Sequence, residues 1–341
     1  MSLHILEHHS LLPYNTFGID VKARYFVSVH TLDDLRDALR HFSQTPTLIL
    51  GGGSNVLFTQ DFEGLVLHIC LKGIDLLETG ENGRVWVSAA AGEPWHPFVQ
   101  HCLAQGWAGL ENLSLIPGTV GAAPLQNIGA YGMELKDAVY QVKALNRQSL
   151  EIEVFEVKDC AFAYRESVFK RQLKDQYVIT EVVFELTTGI PTLRLGYGDI
   201  QATLEAMGCQ DPSPLEVSEA VCRIRRSKLP DPAEIGNAGS FFKNPIIQTT
   251  QFLKISQQYP QMPSYLLNPM EVKVPAGWLI EQAGWKGKRL GAIGVHPKQA
   301  LVLVNYGGAA GREIAALSAD IQADVMQKFG IQLQPEINII G

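Results

Sequence analysis

The sequence is short of the features that mark special classes of protein. No apolar run approaches the roughly 18 residues needed to span a bilayer, and the first residues, MSLHILEHHS, carry no signal-peptide pattern. The five cysteines (Cys70, Cys102, Cys160, Cys209 and Cys222) are odd in number, scattered, and never in a CxxC pair, so no disulfide framework is expected. The histidines His8–His9 and His96/His101 do not have the helical spacing of a zinc site, and no metal is expected. Positive charge is scarce: 28 Lys and Arg stand against 35 Asp and Glu, and a net charge of −7 excludes a broad basic field for nucleic acid. The dinucleotide pattern GxGxxG and the phosphate-loop pattern GxxxxGK[ST] are absent as well. A cytoplasmic protein is expected, monomeric and with small molecules as partners, not nucleic acid or membrane.

What is present is an ordinary globular composition, 46% hydrophobic and 18% charged, over 341 residues, enough for two or three domains. TLDDLRDALRHF puts Leu32, Leu35, Leu39 and Phe42 on one helical face, with Thr31 as its cap. TLIL, LVLHI, RVWVSAAA and YVITEVVFEL read as strands, and AVYQVKAL with LEIEVFEV as a hairpin around NRQS. A helix is expected around PFVQHCLAQG, ending at Gly106. SPLEVSEAVCRIRRSK opens with Ser213 as cap, Pro214 at the first helical position and Glu216 closing a capping box. Further on, AGWLIEQAG and GREIAALSADIQADVMQKFG read as helices and ALVLVN as a strand. IQLQPEINII alternates, which predicts a strand with Glu336 opposite Ile331, Leu333, Ile337 and Ile339. Strands, hairpins and helices in this order make α+β lobes, not a uniform βαβ array.

Two segments stand apart. GGGSN at 51–55 follows a strand, and SLIPGTVGAAPLQNIGAYG, Ser114 to Gly132, holds four glycines, two prolines and no charged residue. A surface loop should be polar, and a buried one must find partners for its N–H and C=O groups. An isolated glycine triplet is most simply a tight turn. Two such segments instead offer bare N–H groups for a pyrophosphate, and small side chains at Gly118, Gly121, Ala122 and Ala123 would let a flat ring approach the backbone.

LILGGGSNVLF, IPGTVGAAPLQNIGAYG, YRESVFK, GSFFKNP and the closing PEI, in this order, resemble the UDP-N-acetylenolpyruvoylglucosamine reductase family. The likeness runs from about Tyr14 to the C-terminus, and LGYGDI resembles the tyrosine-bearing insertion of the longer subtype. The resemblance implies a two-lobe FAD-binding unit of the vanillyl-alcohol-oxidase type followed by an α+β substrate domain. The expected divisions are residues 1–75 for lobe 1, with strand 335–341 returning to it, 76–225 for lobe 2 with the insertion, and 226–334 for the substrate domain. Non-covalent FAD is expected, since neither glycine-rich loop holds His or Cys.

By the same resemblance, Gly51, Gly52, Gly53, Ser54 and Asn55 hold the FAD pyrophosphate, and Pro117, Gly118, Thr119, Gly121, Asn127, Gly129 and Tyr131 line the rest of its path. The implied reaction is NADPH-dependent reduction of UDP-N-acetylglucosamine enolpyruvate to UDP-N-acetylmuramate, for peptidoglycan synthesis. Hydride passes from flavin N5 to C3 of the substrate, and Ser240 gives a proton to C2. Arg165 pairs with the substrate carboxylate, and Glu336 polarises the enolpyruvyl group or relays protons. Tyr197, Lys228, Asn244, Lys286 and Gln299 are the implied substrate-binding residues, and Arg223, Arg225 and Arg226 read as a solvated helix end. Each residue also has a plain reading: a turn serine at Ser240, an Arg165–Glu166 surface pair, a solvent-facing strand glutamate at Glu336. A flavin alcohol oxidase and a non-catalytic nucleotide-sugar sensor are the competing functions. Both are disfavoured by the presence of GSFFKNP and PEI.

Overall fold

Thr31 is extended, its side chain accepts from the Asp34 N–H, and the Asp34 carboxylate accepts from the Thr31 N–H. This capping box starts helix α1, Leu32–His41, whose Leu35, Ala38 and Leu39 are buried while Leu32 stays at the rim. The computed structural model describes residues 3–189 and 191–341. They form two compact units, one from the residues up to His9, Ala23–Gly52 and Glu63–Ser227, the other from Ser10–Lys22, Gly53–Phe62 and Lys228–Gly341.

In the first unit, α1 covers a four-stranded sheet with spatial order Leu6–Ser10, Lys22–Val29, Phe62–Ile69, Thr47–Leu50, the last two parallel. Val27, Val29, Leu65 and Leu67 pack with Leu35 and Leu39 in this core. A five-stranded antiparallel sheet follows, in the order Ile152–Glu156, Val139–Asn146, Tyr177–Thr187, Arg84–Ala90, Ile74–Thr79. It contains the expected hairpin around NRQS. Helix α2, Trp95–Ala104, buries Trp95 and Phe98 against Phe184 of that sheet, and the chain leaves it through Gly106 at φ 77. Helix α3, Ile200–Ala206, and α4, Pro214–Lys228, share a smaller core of Ile200, Leu204, Val217 and Val221. The α4 cap forms as expected: the Ser213 N–H donates to Glu216 and the Glu216 N–H to the Ser213 hydroxyl.

The second unit holds α5, Thr249–Gln258, α6, Ala276–Gln282, and α7, Gly311–Phe329. One three-stranded sheet runs Ile246–Gln248, Glu271–Lys273, Tyr265–Asn268, and another Arg289–Leu290, Ile293–Val295, Leu303–Asn305. Near the C-terminus Asn338–Ile340 pairs in parallel with Val56–Phe58. Here the structure corrects the expected long strand. Only Asn338–Ile340 is strand, and Ile339 is exposed, while Ile331, Leu333 and Ile337 are buried as the alternation foresaw. Pro335 has no N–H for a ladder and makes only an isolated bridge with Phe242.

The observed architecture is α+β. All five cysteines are free, and burial pushes the Cys102 and Cys160 thiols up to about 12. Among the described residues no helix is long and apolar enough to cross a membrane, and no three His, Cys, Asp or Glu side chains gather as metal ligands would.

Candidate active site

The first glycine-rich loop passes from the first unit to the second between Gly52 and Gly53. In the first unit, a Cβ on Gly51 would stand 2.5 Å from the Thr119 hydroxyl, and one on Gly52 would stand 3.0 Å from the Gly118 Cα. The two glycine-rich loops therefore pack closely on each other, so at Gly52 and Gly118 the small residues serve chain packing, where the sequence suggested room for a flat ring. In the second unit, Gly53 has φ +61, and a Cβ there would fall 1.9 Å from the Tyr14 carbonyl oxygen. The Gly53 carbonyl accepts from the Thr16 N–H, and the Asn55 carbonyl accepts from the Asn338 N–H. Among the described residues, none of the four N–H groups from Gly51 to Ser54 donates to a protein acceptor. Successive N–H groups with nothing to donate to are what an anionic oxygen binds. The chemistry of this loop, bare donors with no side-chain charge, suits an anionic group.

The second loop is different. Its residues Val120–Ala122 and Pro124–Gln126 form two short 3₁₀ turns. The Val120 N–H donates to Glu93, Gly121 to Ala91, Ala122 to Thr119, Ala123 to Val120 and Asn127 to Pro124, all main-chain carbonyls. A Cβ on Gly121 would meet the Ala91 Cβ at 2.4 Å, so Gly121 is small because protein already lies against it. Asn127 sits in the left-handed region at φ 42, fully buried. Its amide donates to the Ala163 carbonyl and the Glu134 carboxylate, and its oxygen accepts from the Lys136 N–H. Gly129 is equally enclosed: a Cβ there would meet the Met133 carbonyl at 2.9 Å and Arg165 at 3.1 Å. Pro117 is exposed and Thr119 half-buried.

Arg165, at φ 55, donates from Nη2 to the Gly129 carbonyl at 2.8 Å. Glu166, the partner a surface reading would give it, holds Arg171 at 2.9 Å. Arg225 of α4 acts on the same region and is not the solvated residue expected from its basic cluster. Half-buried, it donates from Nε to the Leu115 carbonyl at 3.2 Å, and among the described residues it forms no ion pair. Burial pushes its guanidinium below the ordinary value; neighbouring Tyr131 and Cys222 oppose this, and Arg165 adds to it. Arg223 does pair with Glu219 on the helix surface, and Arg226 is exposed. Tyr131 has φ 50, and its carbonyl accepts from Asn112. The Asn112 amide also holds the Arg194 carbonyl, and Arg194 reaches back to the Gly132 carbonyl and Asp137. This ties the tyrosine-bearing insertion down, with the exposed Tyr197 lying over Gly132.

In the second unit, Gly239 at φ +68 leaves open space around its Cα and turns the chain into Ser240. Asn237 fixes that turn: it is buried, its oxygen accepts from the Gly239 N–H, and its amide donates to Ile235 and Pro230. Ser240 bridges Val302, and the next residue accepts from Glu336: the Glu336 N–H donates to the Phe241 carbonyl at 2.8 Å. Ser240 and Glu336, ninety-odd residues apart in sequence, thus come from two paired segments, both half-buried. Helix α6 gathers three of the expected substrate residues. The Asn244 oxygen accepts from the Ala276 N–H, Gln299 lies 3.3 Å from where a Gly277 Cβ would be, and Lys286 pairs with Glu281 at 2.9 Å. Lys228 is exposed at the end of α4. Sequence reasoning missed Arg225, Asn112 and Asn237. An arginine in a basic cluster and asparagines in loops carry no signal until their partners are known.

Residues 231–340 match the model of the UDP-N-acetylenolpyruvoylglucosamine reductase C-terminal domain, and residues 23–152 match an FAD-binding domain. The chain is 48% identical over 338 residues to the UDP-N-acetylenolpyruvoylglucosamine reductase of Flavobacterium johnsoniae, covering 99% of this chain and 100% of that one. It is 50% identical over 341 residues to that of Pseudomonas syringae pv. syringae (99% and 100%), and 51% identical over 340 residues to that of Chromobacterium violaceum (98% and 99%). The crystal structure of UDP-N-acetylenolpyruvylglucosamine reductase from Thermus caldophilus superposes with a TM-score of 0.69 over 100% of both chains at 23% identity, a likeness of fold. With full-length identity near one half, this chain belongs to the UDP-N-acetylenolpyruvoylglucosamine reductase family.

Proposed function

We propose that the protein reduces UDP-N-acetylglucosamine enolpyruvate to UDP-N-acetylmuramate with NADPH and a non-covalently held FAD, as a cytoplasmic step of peptidoglycan precursor synthesis. The observation that carries the reading is the row of four N–H groups from Gly51 to Ser54 that, among the described residues, have no protein acceptor, within the chain region that matches an FAD-binding domain. These N–H groups would hold the cofactor's pyrophosphate, with Asn55 beside them. Pro117, Gly118, Thr119, Gly121, Gly129 and Tyr131 would shape the wall it lies on, and Asn127 would fix that wall. Bound FAD would take hydride from NADPH and return it to C3 of the enolpyruvyl group, which is chemistry that side chains do not supply.

The protein's own tasks are to hold the carboxylate, spread the charge that develops at C2 and deliver a proton there. Arg165 would hold the substrate carboxylate, with the half-buried guanidinium of Arg225 adding positive charge to the same region. Ser240 would donate the proton to C2: a weak acid suffices against a carbon-centred enolate, and open space lies beside it at Gly239. Glu336, on the paired segment, would relay the proton that restores the hydroxyl. Tyr197, Lys228, Asn244, Lys286 and Gln299 would bind the UDP-sugar, within a substrate-binding domain that we assign to 226–334.

Ser240→Ala tests the assignment. The variant should be bleached by NADPH at nearly the wild-type rate, and its reduced flavin should persist when the enolpyruvyl substrate is added. Positioned general acids contribute about 10²–10⁴-fold, so turnover should fall at least that far. Stopped-flow flavin absorbance follows both half-reactions. Equal slowing of the two would make Ser240 structural, and a protein that cannot take up FAD at all would overturn the function.

A further inference from the structure

We infer that His96 is a positioning residue that must stay neutral, because it accepts from the Leu115 N–H and so fixes the main chain that sets both Arg225 and the entry to the second glycine-rich loop. The inference rests on the reductase reading for its consequence, though not for its geometry. His96 lies in the first turn of α2, and its Nδ1 is 3.0 Å from the Leu115 nitrogen. The donor there is a main-chain N–H, whose proton cannot move. Nδ1 must therefore be the lone-pair nitrogen, and the ring proton sits on Nε2.

Leu115 needs the hold. It stands at φ 58, in the left-handed region that a side-chain-bearing residue enters only at a cost. From there its carbonyl accepts from Arg225 Nε at 3.2 Å, and two residues on the chain enters Pro117 and Gly118. One imidazole lone pair thus supports a strained residue that orients an arginine on one side and a cofactor loop on the other.

Protonation would break the arrangement. A proton on Nδ1 would face the Leu115 N–H, donor against donor. The new cation would also stand among Arg226 and Arg225 of α4, the charged groups that act on this ring, while the Ser114–Gly118 segment offers no titratable side chain to balance it. Burial first, then Arg226 and Arg225, hold the His96 pKa below its ordinary 6.5. The sign follows. The released ring binds a proton more readily than the held one, so the hold is complete above about pH 6.5 and weakens as pH falls through that value toward the lowered one.

The test uses the full chain as wild type, His96→Asn and His96→Ala. An asparagine oxygen can accept from the Leu115 N–H and does not titrate. Amide exchange at Leu115, corrected for the intrinsic rate, and the dissociation constant for added FAD are measured at pH 8 and pH 5.5. Wild type should lose Leu115 protection and FAD affinity between the two, His96→Asn should keep both, and His96→Ala should lack both at either pH. Leaving this part-buried N–H unsatisfied corresponds to a loss of about tenfold. Protection at Leu115 in His96→Ala equal to wild type, or His96→Asn behaving as His96→Ala, overturns the inference. Should His96→Ala not fold, the wild-type pH series and a nitrogen spectrum showing the proton on Nε2 or Nδ1 decide it. Leu115 exchange needs no flavin, so wild type failing to bind FAD at pH 8 would overturn the function while the role of His96 is still read.

Discussion

The two glycine-rich loops look alike in sequence and differ in how their main chains are satisfied. Among the described residues, the N–H groups from Gly51 to Ser54 donate to no protein acceptor, whereas from Val120 to Ala123 each N–H donates to a main-chain carbonyl. Both loops need glycine for the same reason, close packing against other backbone, at Tyr14 for Gly53 and at Ala91 for Gly121. Glycine content therefore reports steric closeness in both loops. The first leaves a run of four donors for a ligand; in the second, among the described residues, the Gly118 and Thr119 N–H groups at its entry likewise keep no protein acceptor, while Val120 to Ala123 are satisfied. The second is a rigid wall, closed on itself by two 3₁₀ turns and by Asn127.

The largest effect should come from Gly53→Ala. A Cβ 1.9 Å from a main-chain oxygen, at φ +61, cannot be relieved by a rotamer change. The cost should be about 3 kcal/mol or more, read as lost stability in denaturant titration of the FAD-free protein. A stable FAD-free variant that merely loses FAD would show that Gly53 serves the ligand and not the fold.

Gly121→Val comes next. If the second loop is a wall, the variant should lose about 1–3 kcal/mol in the absence of FAD, through overlap with Ala91, and lose FAD binding as a consequence. Unchanged FAD-free stability with abolished binding would instead make Gly121 a direct contact, as its sequence alone suggested.

The mildest experiment perturbs nothing. Without FAD the amides of Gly51 to Ser54 should exchange near the open-chain rate, and with FAD they should become protected. Gly121 and Ala122 should be protected in both conditions, since their acceptors are protein carbonyls. Equal protection of the two loops without FAD would erase the distinction between them.

Much of this was legible from local chemistry. Thr31 with Asp34 and Ser213 with Glu216 are capping pairs a few residues apart, so the sequence states them and the helices begin there. The hairpin around NRQS and the α+β class follow from patterns of the same short range. The strand foreseen across 331–340 shrank to Asn338–Ile340, because a ladder needs a partner and Pro335 interrupts the donors. Arg225 carried no mark separating it from Arg223. One reaches Leu115, 110 positions away, and the other pairs with Glu219 on the same helix turn.

The sequence by itself determined where helices start and stop, which residues are apolar enough to be cores, and which two segments are too bare of side chains to be ordinary loops. Those properties depend on residues within a turn or a strand of one another, where propensity, capping and periodicity act. Tertiary structure alone decided which bare N–H groups keep no protein acceptor, that Ser240 and Glu336 lie on paired segments, and that His96 must present a lone pair to Leu115. A hydrogen bond needs two partners at about 3 Å, and for these groups the partner is supplied, or withheld, by chain far away in sequence.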